Sequence, residues 1–199
     1  MAKNKKGSSF ERDICRDLSL WWTAGRNKNV FWRTSQSGGR ATTHAKNGAF
    51  LKNSFGDIGY IDDVGKPFID SFLLELKRGY PNINALDFVD NESKKKILLK
   101  EWWYKAECER EKAEKLKSAI IFKKDRKDTC LILETEMVGD IETWCDIYPH
   151  NMIILDYNDD RFEDNWIRLS VIKLTDFFNW CSSDNVLSWI KHKECKNDI

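Results

Sequence analysis

The chain has 199 residues, enough for one sizeable domain, and 41% hydrophobic residues with nine tryptophans call for a packed core rather than a disordered polymer. No apolar run approaches the ~18 residues of a membrane span and the N-terminus is polar, so the expectation is a cytoplasmic protein without a membrane partner. Net charge is only +1, but residues 1–55 carry eleven Lys/Arg against three acidic residues (+8), and residues 139–166 carry eight acidic residues against Arg161 (−7), a split that suits a phosphate-facing surface on one side.

Ser8 or Ser9 is a natural N-cap for a helix reaching Trp22, with Phe10, Ile14, Leu18 and Trp21 as its apolar stripe. Glu11 stands three residues after Ser8, as in a capping box, yet it also shares a face with Cys15, Leu18 and Trp22. Residues 29–34 read as a first strand. From Ser35 to Asn53 follows a polar stretch with glycines, hydroxyls and bases. It reads either as a phosphate-gripping loop or as an unstructured insertion, and Arg33 at the strand end is its firmest candidate contact.

Two strands are expected at 56–61 and 71–77, joined by the turn Asp62-Asp63-Val64-Gly65-Lys66-Pro67. Alternation puts Leu73, Glu75 and Lys77 on one face of the second and Phe72, Leu74 and Leu76 on the other. If the two strands pair as a hairpin, Asp57 lies beside Glu75. Two carboxylates and a lysine among apolar neighbours demand pairing or a metal, which is the raw material of a metal-dependent hydrolytic site.

Beyond a connection at 84–90, a charged helix is expected from Ser93 to about Lys117, carrying Leu98, Leu99, Trp102, Trp103 and Ala106. Strands at 119–123 and 130–134 follow, and the strand–helix–strand order favours a mixed sheet. Further strands read at 152–155 and 167–172. A final helix opening at Thr175 or Asp176 carries Phe177, Phe178, Trp180 and Trp189, which could present an aromatic dimer face. Asp156 to Asp160 imitates a calcium loop but has Arg161 at the sixth place and Ile167 at the twelfth, so it reads as a polar turn. The six cysteines form no C-x-x-C pair and read as reduced thiols, mostly buried. The histidines lack metal-ligand spacing, and neither a P-loop nor a G-x-S-x-G elbow is present.

Asp57 followed by Glu75-Leu76-Lys77 resembles the PD-(D/E)XK nuclease signature, with Gly56 where the family name has proline. Upstream, Lys6-Gly7-Ser8-Ser9-Phe10-Glu11-Arg12 resembles the opening of archaeal-type Holliday junction resolvases and related phage endonucleases. Downstream, Trp102-Trp103-Tyr104-Lys105-Ala106-Glu107 and Ile120-Ile121-Phe122-Lys123 resemble the phage members. The resemblance covers residues 6 to 135.

It implies an α/β (α+β) mixed sheet with the restriction-endonuclease-like αβββαβ core over 1–135, and a C-terminal β/α extension over 136–199 packed on the same domain. It implies Asp57, Glu75 and the Leu76 backbone carbonyl as ligands of Mg²⁺, with Mn²⁺ as substitute. Glu11 joins directly or through water, and Lys77 completes the catalytic set. Lys6, Arg12, Arg33, Ser35, Ser37, Arg40, His44 and Lys46 are the candidate DNA contacts. Lys105 occupies the place where phage members carry a polar, site-facing residue, and a solvent-facing lysine is the plainer reading. The expected function is a Mg²⁺-dependent endonuclease, resolvase-like, acting on branched or duplex DNA as a homodimer, phage-encoded in a bacterial host. A restriction-type or general phage endonuclease, and a non-catalytic nucleic-acid-binding module, stay open as alternatives.

Overall fold

The computed structural model describes residues 4–34, 55–81, 83–88, 97–143, 145 and 151–197. In chain order its elements are α1 (Asn4–Trp22), β1 (Phe31–Arg33), β2 (Ile58–Tyr60), a 3-10 turn (Asp63–Gly65), α2 (Lys66–Ser71) and β3 (Phe72–Arg78). After a 3-10 turn at Ala85–Phe88 come α3 (Leu98–Lys112), β4 (Lys117–Lys123), β5 (Thr129–Glu134), α4 (Thr135–Glu142), β6 (Met152–Asn158), β7 (Trp166–Lys173), α5 (Leu174–Trp180) and α6 (Ser183–Asn197). This is a mixed α/β architecture, consistent with the restriction-endonuclease-like α+β fold that the resemblance implies.

The alternation of β3 divides the molecule. Phe72, Leu74 and Leu76 enter one buried cluster, with α1, α2, α4, α5 and α6, while Leu73 enters a second, with Leu99, Trp102, Trp103 and Ala106 of α3. The five-stranded sheet, in order β3-β4-β5-β7-β6, is thus sandwiched between helices, the layered solution for a sheet apolar on both faces. β3 and β4 run parallel with Leu74 opposite Ala119, and α3 supplies the crossover that parallel strands require. β4, β5, β7 and β6 are joined antiparallel.

Several expectations are corrected. The strands around Asp57 and Glu75 do not form a hairpin: β2 pairs with β1 in a separate two-stranded sheet, Arg33 opposite Ile58. The six residues expected as their turn instead start a helix. The Asp62 carboxylate caps Val64 N at 3.1 Å and Pro67 sits in the first turn of α2, where its missing N–H costs nothing. α1 begins at Asn4, so Ser8 lies inside it and is not the N-cap. α3 ends at Lys112, and Glu114 turns the chain with φ +52. Asp156 to Asn158 belong to β6 rather than to a turn.

The C-terminal helix is broken in two at Cys181 and Ser182; Phe177 and Trp189 face inward, while Phe178 and Trp180 are half-buried. Trp189 is fully buried, its ring 5.7 Å from that of Phe72 and its Nε1 donating to Asp140 Oδ2 at 3.1 Å. No aromatic dimer face is formed by Phe177 or Trp189. Truncating Trp189 therefore opens a cavity directly behind β3. Trp189→Ala should cost about 3–5 kcal/mol in urea denaturation; a loss below ~1 kcal/mol would contradict this packing of the C-terminal helices against β3.

Candidate active site

β3 is an outer strand of the sheet, and its open edge is where the site is assembled. The chain reaches that edge at Gly56, whose φ of +76 lies in the left-handed region. A Cβ there would stand 2.8 Å from the Leu74 carbonyl oxygen, which belongs to β3 and cannot give way. Glycine is required on both counts, and the resulting corner lets Asp57 follow the strand edge. Asp57 N donates to Leu74 O at 2.8 Å, and Leu76 N donates to the Asp57 Oδ2 at 2.7 Å. Asp57 thus stands beside Glu75-Leu76-Lys77 without any β2–β3 ladder.

The N–H and C=O of one strand residue point to the same edge. The Leu76 carbonyl therefore shares the open edge with the amide that holds Asp57. Glu75 and Lys77 leave the α3 face together, and the Lys77 ammonium donates to Glu75 Oε2. Glu11 comes from α1 and bonds Arg33 Nη1 at 3.2 Å. With Ser8 inside the helix, the capping-box role for Glu11 falls away.

The electrostatics tie these groups together. The Asp57 carboxyl is pushed from its usual range up to about 7, first by burial and then by the Glu75 charge; the Leu76 amide and Lys77 oppose the rise, and Glu11 adds to it. Burial would lower the Lys77 pKa, but the Glu75 charge and hydrogen bond, with Asp57, more than offset it and raise it. Lys77 is therefore a held ammonium, a donor rather than a base. Cys15, beneath the site, is raised to about 12 by burial, with Glu11 and Asp57 adding and Arg33 opposing, so it is no nucleophile.

The donor set suits a hard divalent cation. Among the described residues no three His, Cys, Asp or Glu side chains cluster as a ready metal cage. Mg²⁺ seldom uses one: it takes one or two carboxylates, other oxygens and several waters. Asp57, Glu75 and the Leu76 carbonyl are all oxygen donors, and a carboxyl forced toward neutrality beside another carboxylate marks a site short of positive charge.

Of the candidate DNA contacts, Arg33 sits at the rim, bonded to Glu11, and Arg12 is exposed on α1 one residue beyond it. Lys6 is described only as helix backbone; Ser35, Ser37, Arg40, His44 and Lys46 lie outside the described residues. Lys105 is exposed on α3. Two residues that sequence reasoning passed over touch the corner. Thr34 Oγ1 donates to Gly56 O at 2.8 Å, and Gly56 N donates to Glu109 Oε1 at 3.2 Å. Thr34 directly follows β1 and the noted Arg33, whereas Glu109 is one of many charges on α3.

Metal-free protein should report the Asp57 strain as a pH dependence. A carboxyl whose folded pKa is raised contributes stability below its unfolded value near 4, and that contribution is lost as pH climbs through about 7. Asp57→Asn keeps an oxygen for the Leu76 amide and removes the titration. In EDTA at pH 8 it should exceed the wild type by about 2 kcal/mol, with the gap closing toward pH 5. Parallel stability–pH curves would refute the shift.

The family described as "Phage putative PDDEXK endonuclease" matches the chain over residues 2–187. No curated protein and no solved structure matches the chain. The chain belongs to this PD-(D/E)XK endonuclease family.

Proposed function

We propose that this phage-type PD-(D/E)XK endonuclease is Mg²⁺-dependent and structure-selective, cutting branched DNA in the manner of a Holliday junction resolvase, as a homodimer in the cytoplasm of a bacterial host. The observation that carries the chemistry is the Asp57 carboxylate held by the Leu76 amide beside the Glu75–Lys77 pair. The branched substrate is supported by the likeness of residues 6–12 to archaeal-type resolvases. The dimer is supported by the need for two sites to resolve a four-way junction. Residues 1–135 carry every group invoked, with 136–199 as an extension supplying β6 and β7 to the same sheet.

Asp57, Glu75 and the Leu76 carbonyl would hold the metal, with Glu11 behind them. A divalent ion in that place supplies Lewis acidity to phosphodiester hydrolysis, lowering the charge on a non-bridging oxygen and the pKa of water. The protein's own groups do the rest. Lys77, kept protonated and pinned to Glu75, points an N–H at the attacking water and stabilises the negative charge that develops on the phosphate. Asp57, ionised once a cation offsets the Glu75 charge, stands with Glu75 as a fixed pair that sets the geometry of attack. Arg33, released from or shared with Glu11, grips a phosphate oxygen at the rim, where guanidinium geometry favours two-point contact.

The test uses labelled four-way junction, flap and linear duplex, with Mg²⁺ or EDTA. Wild type should place symmetric nicks in the junction, absent in EDTA and in Glu75→Ala. Lys77→Met should lower kcat by about 10²–10⁴-fold while leaving DNA affinity in place. Cleavage of linear duplex in preference to the junction would overturn the substrate choice. Binding of all three substrates without cutting would overturn the enzyme reading and favour a non-catalytic module.

A further inference from the structure

The Gly56-Asp57 corner poses a problem of precision. Glycine is the residue least able to hold its own backbone conformation, yet here it aims a carboxylate that must sit correctly to within a fraction of an ångström. The conformation has to be imposed from outside, and the hydrogen bonds show how. Four backbone polar groups belong to these two residues, and each is engaged. Asp57 N is held by Leu74 O at 2.8 Å, and Asp57 O accepts from Thr34 N at 2.9 Å. Gly56 O accepts from Thr34 Oγ1 at 2.8 Å, and Gly56 N donates to Glu109 Oε1 at 3.2 Å.

Three of these pins come from β3 and from the end of β1, which flank the corner in any case. The fourth comes from 53 residues away, on the last turn and a half of the crossover helix α3. Glu109 has Arg110 and Lys112 as neighbours in the chain, but Arg110 is bonded to Glu107 and to the Lys115 carbonyl, and the Glu109 carboxylate turns to the Gly56 amide instead. A hydrogen bond from an amide to a charged carboxylate is stronger than one between neutral groups.

We propose that Glu109 is a positioning residue for Asp57. Through the Gly56 amide it locks the left-handed corner and so sets the carboxylate for metal binding, with the Thr34 hydroxyl as its counterpart on the opposite side of the same residue. This rests on the reading of Asp57 as a metal ligand. Glu109 touches neither substrate nor metal in this role. Its influence runs through the backbone, as an outer partner orients a ligand in other metal sites, where its loss weakens metal binding about 10–100-fold.

The experiment measures Mg²⁺ affinity by calorimetry, and junction-nicking kcat and KM across Mg²⁺ concentrations, for wild type, Glu109→Ala, Glu109→Gln and Thr34→Val. Melting in EDTA monitors folding. Glu109→Ala should bind Mg²⁺ about 10–100-fold more weakly and lose kcat at limiting Mg²⁺, with KM for DNA unchanged and kcat recovered at excess Mg²⁺. Glu109→Gln keeps the acceptor oxygen and should stay close to wild type, and Thr34→Val should resemble Glu109→Ala. If Glu109→Ala does not fold, the Gln and Val variants carry the same comparison. Unchanged Mg²⁺ affinity in folded Glu109→Ala or in Thr34→Val, or an equal loss in Glu109→Gln, overturns the proposal while leaving Asp57 as ligand. A wild type with no Mg²⁺ site removes the reading of Asp57 itself, and this proposal with it.

Discussion

The bond from the Leu76 amide to the Asp57 carboxylate, 2.7 Å long, is the contact on which the rest of the site depends. It joins two stretches of chain that share no β-ladder, and it does so at the open edge of β3, where a strand's amides and carbonyls would otherwise face solvent. An exposed edge is a liability in most sheets. Here it is occupied by a glycine corner and a carboxylate, and the neighbouring carbonyl is left facing the same way. One edge thus provides an anchor for Asp57 and an oxygen donor beside it.

Holding charges at that edge has a cost that the fold absorbs elsewhere. Asp57 is driven toward neutrality by burial and by Glu75, and Lys77 is desolvated before its carboxylate partners hold it charged. Such opposed shifts are a mark of functional sites. The stabilising counterweight lies on the two faces of the same strand. Phe72, Leu74 and Leu76 pack against helices on one side and Leu73 against α3 on the other, so the strand bearing the strained pair is among the best buried in the molecule. A rigid strand carrying a strained edge is what precise placement requires.

The elements that could be read from sequence were those governed by local periodicity. The alternation in Phe72 to Lys77 placed Glu75 and Lys77 on one face, and the strand–helix–strand order favoured the mixed sheet, in which β3 and β4 run parallel across the helix. The hairpin failed because Asp62 and Pro67 have two meanings: both suit a turn, and both suit the start of a helix, which is what forms. Asp57 nevertheless reaches Glu75, by hydrogen bonds to a strand edge that no period in the sequence announces. The role of Gly56 was visible only as a departure from the family's proline; the close approach to the Leu74 carbonyl explains it. Glu109 was illegible for a different reason. A glutamate on a helix rich in charge has no local signature, and its partner is fixed by tertiary structure alone.

The proposed cation site joins Asp57, Glu75 and the Leu76 carbonyl at the edge of β3. Anomalous diffraction from crystals of the wild type soaked in Mn²⁺ tests it most directly. A single strong peak is expected at the β3 edge, bonded to those three groups and lost in Asp57→Asn. A strong peak elsewhere on the protein with none at this edge, or a peak that survives Asp57→Asn unchanged, would contradict it.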